Sequence, residues 1–321
     1  MKIVSSGQVR QFANAVSGAL FAFLLLPTAA AASEYKIDEI KSWRDLVQVE
    51  LKDAQTKPVV SNFSLGGGNK CSLIVLRPEH NRVRPALAVE RANGKSKTAT
   101  TSQIVQEEKA IFGVNGGYFN LSNGESTSYV ALHGAICADP SKNLALIENA
   151  KLKPFLPQIF NRSEIRFLQA KAKLPAVQIA AHNEPLPKGR SLESSLQGGP
   201  RLLPEITAEQ EAFVRTESDG KQVDSIGVKR TAARTAVGLT ADGYLLIVAI
   251  AGKGQDEFSS GLTLADLARL LKNLGAVEAI NLDGGTSTTM IQRYIKDKER
   301  GQMLIGRTPE TRVRSALLVF D

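Results

Sequence analysis

Histidine and cysteine are scarce in this chain, three and two among 321 residues, and their spacing forms no zinc site of the usual kind. Aromatic residues make up only 6%, and no long basic run is present, so the formal net charge of +8 does not read as a nucleic-acid surface. Beyond the N-terminus no apolar run approaches membrane-spanning length. There is no G-x-S-x-G elbow, which removes the commonest serine-hydrolase reading, and no Walker lysine pattern, which removes a P-loop. No low-complexity tract or solenoid-period repeat appears, and no linker interrupts the chain after residue 32.

What is present begins with an address. Lys2 and Arg10 precede an apolar stretch from Phe12 to Leu26; Pro27 breaks it, and Ala29 to Ala32 supplies small residues for signal peptidase. Residues 1–32 therefore read as a cleavable secretory signal, with an uncleaved anchor as the alternative, and the protein as secreted or periplasmic, with no membrane span after cleavage. Removing the two basic residues leaves +6, a mild positive field that suits anionic substrates. In an oxidising compartment Cys71 and Cys137 could pair, a bond contributing about 4 kcal/mol in the chain-entropy model; two buried free thiols are the alternative.

The pattern of elements predicts an α+β or α/β fold, a single domain over residues 33–321 built on a mixed β-sheet packed with helices. Ser72 to Leu76, Pro85 to Glu90, Ala110 to Val114 and Val130 to Cys137 read as strands, with a short helix over Thr101 to Lys109. Thr235 to Leu239 and Tyr244 to Ile250 form a hairpin across the Asp242-Gly243 turn. Leu264, Leu267, Ala268, Leu271 and Leu274 recur at helical spacing, with Thr263 and Asp266 as the cap and Gly275 as the stop. Strands follow over Ala276 to Leu282 and Ala316 to Phe320. From about Ser141 to Glu193, five prolines divide the chain into short strands and loops.

Three segments share one form, an apolar residue, an amide or carboxylate, then two glycines: Val114-Asn115-Gly116-Gly117, Leu196-Gln197-Gly198-Gly199 and Leu282-Asp283-Gly284-Gly285. Such pairs make tight turns, or bring a ligand close to main-chain N–H donors. In the third segment Thr286, Ser287, Thr288 and Thr289 follow the glycines, so hydroxyls, amides and the Asp283 carboxylate could form a phosphate cradle. Arg234, just before a strand, suits bidentate contact with phosphate. His133 and His182 are possible acid–base groups without a recognisable partner.

These segments, in this order, resemble the phosphodiester glycosidase family, the N-acetylglucosamine-1-phosphodiester alpha-N-acetylglucosaminidase-like domain. The matching stretches are GVNGGYF at 113–119, LQGGPRLL at 196–203, RTAVGLTADGYLLIV at 234–248, GLTLADLARLLKNLGAVEAINLDGGTSTTM at 261–290 and RVRSALLVF at 312–320. The resemblance implies a secreted hydrolase that cleaves between a sugar's anomeric carbon and a phosphodiester, in exopolysaccharide or envelope-glycan metabolism. It places Asp283, Arg234 and Asn115 in the catalytic set, and Gly116, Gly117, Gln197, Gly198, Gly199, Asn281, Gly284, Gly285, Thr286, Ser287 and Thr288 around the substrate, with Asn115 and Gln197 orienting sugar hydroxyls. Thr286 departs from the family, which often has a third glycine there. No cofactor is required by the reading; calcium at Asp283 would suit carboxylate and carbonyl ligands. The expected partner is a sugar-1-phosphodiester or phosphorylated glycan, not nucleic acid. Two other readings keep the same site: a non-catalytic binder of phosphorylated glycans, and a phosphodiesterase that cuts the P–O bond.

Overall fold

The structure is a computed structural model, and it describes residues 34–47, 53–89, 97–169, 177–251, 260–293 and 301–321. The signal reading falls on residues outside this set. The expected mixed sheet packed with a helix is present, one parallel pair standing in an otherwise antiparallel sheet, but helices are few and sheets several, so it is one of several sheets rather than the whole frame. Among the described residues a seven-stranded sheet runs in the order Glu34–Tyr35, Val59–Leu65, Asn69–Leu76, Leu245–Ala251, Arg234–Thr240, Ala276–Asn281, Arg201–Leu203. A five-stranded sheet orders Val177–Ala181, Ser163–Leu168, Leu192–Gln197, Val130–Leu132, Ala135–Ala138. Another orders Gln302–Ile305, Met290–Gln292, Phe112–Asn115, Ser315–Val319, Val83–Leu87.

The seven-stranded sheet is apolar on both faces, which is why Leu245–Ala251 reads as an unbroken apolar run. Leu246, Val248 and Ile250 join one core with helix Leu264–Asn273, through Leu264, Leu267, Leu270 and Leu271. Each such side chain, fully buried, contributes roughly 1.5–3 kcal/mol. On the other face Ile247 and Ile280 share a second core with Ile165 and Leu196 of one five-stranded sheet and Val114 and Leu317 of the other. All three sheets therefore meet over one core, and their strand ends can meet as well.

The helix is where its pattern put it. Thr263 caps it by accepting from Asp266 N, and Gly275 follows at φ +100°. Strands Leu245–Ala251 and Ala276–Asn281 flank it in sequence, and both pair antiparallel to Arg234–Thr240 between them. The expected α/β unit is thus a split one. The stretch Val130 to Cys137 is a hairpin rather than one strand, because His133 and Gly134 both take positive φ, 52° and 75°. Strand Val59–Leu65, with its alternating burial, was not anticipated. The region 141–193 holds strands Ser163–Leu168 and Val177–Ala181 as well as short helical turns.

The cysteines do not pair. Cys71 is buried in the seven-stranded sheet and Cys137 is exposed, so of the two alternatives the bridge is absent and the pair of buried free thiols holds for Cys71 alone. Burial pushes the Cys71 thiol well above its ordinary range, which makes it inert. A thiol titration should accordingly count one group in the native protein and two after unfolding; none after unfolding would reveal a bridge.

Candidate active site

Each Gly-Gly motif ends a strand of a different sheet. Asn115 closes Phe112–Asn115, Gln197 closes Leu192–Gln197, and Asn281 closes Ala276–Asn281 two residues before Asp283. The motifs are joined to one another by backbone bonds. Asp283 N donates to Gly116 O at 3.1 Å, Gly199 N to Asn281 O at 2.8 Å, and Asn281 N to Pro200 O at 3.0 Å. A Cβ on Gly117 would collide with Gln197 O, and one on Gly198 would come within 2.7 Å of Asn281 O. A Cβ on Gly284 would lie 2.8 Å from Ala233 O. Glycine is needed here because backbone lies against backbone.

That packing also engages the amides. Gly116 N donates to Ser315 O, Gly117 N to Ser315 Oγ, Gly198 N to Ser163 O, Gly284 N to Asp283 Oδ1 and Gly285 N to Ala233 O. The glycine N–H groups expected to face an anion therefore bond within the protein.

Asn115 and Gln197 are fully buried and hold the frame. Asn115 Nδ2 donates to Asp283 O at 2.6 Å, and its Oδ1 accepts from Thr235 Oγ1 at 2.7 Å and Thr289 N at 3.1 Å. Gln197 Nε2 donates to Phe160 O and Arg162 O, and its Oε1 accepts from Tyr129 N. Neither side chain borders the pocket described below.

That pocket has a volume of about 210 Å³. Of the residues expected around it, Arg234, Asn281, Asp283, Gly284, Gly285, Thr286 and Ser287 line it; Gly116, Gly117, Gly198, Gly199 and Thr288 stand behind it. Sequence reasoning missed Tyr118, Phe119, Leu121, Ser225, Ile226 and Ala232. Tyr118 and Phe119 sit inside the quoted GVNGGYF stretch, whereas Ser225 and Ile226 carry no sequence signal. A larger cleft of about 440 Å³, lined by Gln103, Gln106, Arg293 and their neighbours, contains none of the motif residues and offers no cluster of catalytic groups.

Asp283 is half-buried, with Oδ1 accepting from Gly284 N at 2.9 Å. Arg234 is 2% exposed, and four of its N–H groups go to carbonyls: Nε to Leu262, Nη1 to Ile226, and Nη2 to Gly227 and Arg230. Burial lowers its pKa from the usual guanidinium value, opposed by Tyr118 and Asp224, and the group stays charged at neutral pH. The Tyr118 hydroxyl lies 2.9 Å from Gly199 O and accepts from Asn281 Nδ2 at 2.8 Å. Burial, then the Asp283 charge, pushes this phenol far above its ordinary range, so it is a neutral donor. Asn281 Oδ1, Thr288 Oγ1 and Thr289 Oγ1 are buried without a protein partner.

The histidines lie elsewhere. His133 is exposed, 3.3 Å from Glu193 Oε1. His182 does have a partner, Glu164 Oε2 at 2.9 Å, and its ring stacks on Tyr129 at 3.9 Å. Glu164 belongs to another strand, which is why no local spacing revealed the pair. Among the described residues no three His, Cys, Asp or Glu side chains converge as a metal-ligand set, and no helix is long and apolar enough to cross a membrane.

A family model described as phosphodiester glycosidase matches residues 108–320. No curated protein gave a significant match. Solved structures share the fold at low identity. The catalytic domain of zebrafish N-acetylglucosamine-1-phosphodiester alpha-N-acetylglucosaminidase, auto-inhibited by its pro-peptide, aligns with TM-score 0.56 and 16% identity over 83% of this chain and 82% of that one. A hypothetical protein from Synechocystis aligns with TM-score 0.52 and 17% identity over 82% of this chain; the match spans 61% of the Synechocystis chain, less than two thirds of it. A Burkholderia pseudomallei protein described as a candidate for export aligns with TM-score 0.54 and 15% identity over 82% of this chain and 76% of that one.

Proposed function

The chain belongs to the phosphodiester glycosidase family, and on that footing we propose that it hydrolyses the bond between a sugar's anomeric carbon and a phosphodiester, outside the cytoplasm, on an envelope glycan or exopolysaccharide. The observation that carries this reading is a single small pocket walled by a carboxylate, Asp283, and a buried guanidinium, Arg234.

A phosphodiester is a weak base and leaves with little help from a general acid. The reaction needs negative charge near the anomeric carbon as it becomes oxocarbenium-like, and positive potential for the departing phosphate. Asp283 supplies the first. Arg234 supplies the second as a fixed charge, with one Nη1 hydrogen beyond those engaged by carbonyls. The C1–O bond breaks, its electron pair leaves on the phosphodiester oxygen, and water adds at C1 and gives up one proton to the solvent, leaving free sugar and a phosphate monoester. Asn281 and Thr286, which also line the pocket, are positioned to contact the sugar.

The test is product identity. The mature protein is incubated with a sugar-1-phosphodiester such as UDP-N-acetylglucosamine and a panel of phosphorylated glycans, with calcium and with EDTA. Free reducing sugar is expected, at a rate EDTA leaves unchanged. Sugar phosphate would move the cut to the phosphorus side, and binding without any product would reduce the protein to a glycan binder.

A further inference from the structure

Tyr118 follows the first Gly-Gly motif and lines the pocket together with Asp283. Its main chain is engaged on both sides: N donates to Ser128 Oγ at 2.9 Å, and O accepts from Thr127 N at 3.0 Å. Its hydroxyl is engaged too. It accepts from Asn281 Nδ2 at 2.8 Å and lies 2.9 Å from Gly199 O and 3.2 Å from Leu282 O, so it meets the second and third motifs at once. What this half-buried residue has left for the pocket is its ring.

The ring is fixed before any ligand arrives. Phe213, 1% exposed, packs against it with 5.3 Å between centroids, and the Arg162 guanidinium covers Phe213 in turn, with Cζ 3.7 Å from that ring's centroid. A group fastened at its hydroxyl end and backed by packed side chains loses little freedom when it binds. Phe119, the other aromatic of the wall, packs against the core that holds Ile104 and Val105. The carboxylate is a near neighbour of the Tyr118 ring, because Leu282 O belongs to the peptide that leads into Asp283. The pocket, at about 210 Å³, is smaller than the roughly 300 Å³ at which sites for drug-sized ligands begin, and it suits one sugar ring rather than an oligosaccharide. A pyranose carries weakly positive C–H bonds on its faces and hydroxyls around its edge. An aromatic face carries negative potential and matches the C–H side without asking for a hydrogen bond.

We propose that Tyr118 is the sugar-stacking platform of this site, its ring receiving the C–H face of a single pyranose whose C1 is turned to Asp283. That the ligand is a sugar rests on the phosphodiester glycosidase reading. In this arrangement the hydroxyl serves the frame and the ring serves the substrate.

Binding of free sugars tests this without requiring turnover, with N-acetylglucosamine, glucose, galactose and mannose as probes. At least one is expected to raise the wild-type unfolding midpoint, and its C–H protons should show nuclear Overhauser contacts to a selectively labelled tyrosine that vanish in Tyr118→Phe. That variant keeps the ring, and the Asn281 amide retains Gly199 O and Leu282 O as partners, so its sugar affinity should stay within about threefold of wild type. Tyr118→Leu removes the platform and should weaken binding about tenfold. If the Leu variant does not fold, the labelled-tyrosine contacts decide the matter. Contacts that persist in Tyr118→Phe or never appear, a loss in Tyr118→Phe as large as in Tyr118→Leu, or no binding of any probe overturns the assignment. The assignment and the activity fail separately. Sugar binding by a protein that releases no free sugar from phosphodiesters would sink the glycosidase reading alone, and wild-type KM in Tyr118→Leu would sink the assignment alone.

Discussion

Asp283→Asn is expected to slow release of free sugar about a thousandfold while leaving the fold and much of the binding in place. The magnitude follows from removing the one charge aimed at a developing cation, an effect on the order of 10²–10⁴ in rate. The fold should survive because the residue is held by its main chain. Its N donates to Gly116 O and its O accepts from Asn115 Nδ2. The side-chain bond from Gly284 N reaches Oδ1, an oxygen that asparagine retains. Stability should therefore change by less than about 1 kcal/mol, and KM by only a few-fold. Kinetics on the folded variant check this. A rate loss under about tenfold would mean that Asp283 does not act at the anomeric carbon.

Asn115→Ala should behave in the opposite way. The fully buried amide accepts from Thr235 Oγ1 and Thr289 N and donates to Asp283 O. Its removal leaves those three groups buried without partners, at about 1–3 kcal/mol each, so a loss of about 3 kcal/mol or more is expected in denaturant unfolding. Turnover should fall with it, because Asp283 loses a tether on its own carbonyl. Had Asn115 oriented a sugar hydroxyl, the variant would raise KM and leave stability nearly intact. A stability loss below about 1 kcal/mol would support the sugar-orienting role over the structural one.

The contrast between these two residues marks how far the sequence reaches. The spacing of Leu264, Leu267, Ala268 and Leu271 located the longest helix within a residue, and the Asp242-Gly243 turn located its hairpin. Periodicity and turn chemistry are local, so they are legible. The stretch from Ser141 to Glu193 was not, because turns such as Pro140–Lys142 and Lys153–Phe155 are shorter than one helical period. The convergence of the three Gly-Gly motifs could be anticipated from their common form, but their purpose could not. Spacing does not say whether Gly117 N faces a ligand or Ser315 Oγ, nor whether the Gln197 amide faces solvent or Phe160 O.

The central claim is that the C1–O bond breaks, and isotope placement tests it most directly. Turnover of a sugar-1-phosphodiester in water enriched in oxygen-18, followed by mass spectrometry of both products, shows which atom received the solvent oxygen. The account predicts label on the C1 hydroxyl of the released sugar and none on the phosphate. Label on the phosphate would contradict it, since water would then have attacked phosphorus, and Asp283 would have to be reassigned to a phosphodiesterase mechanism.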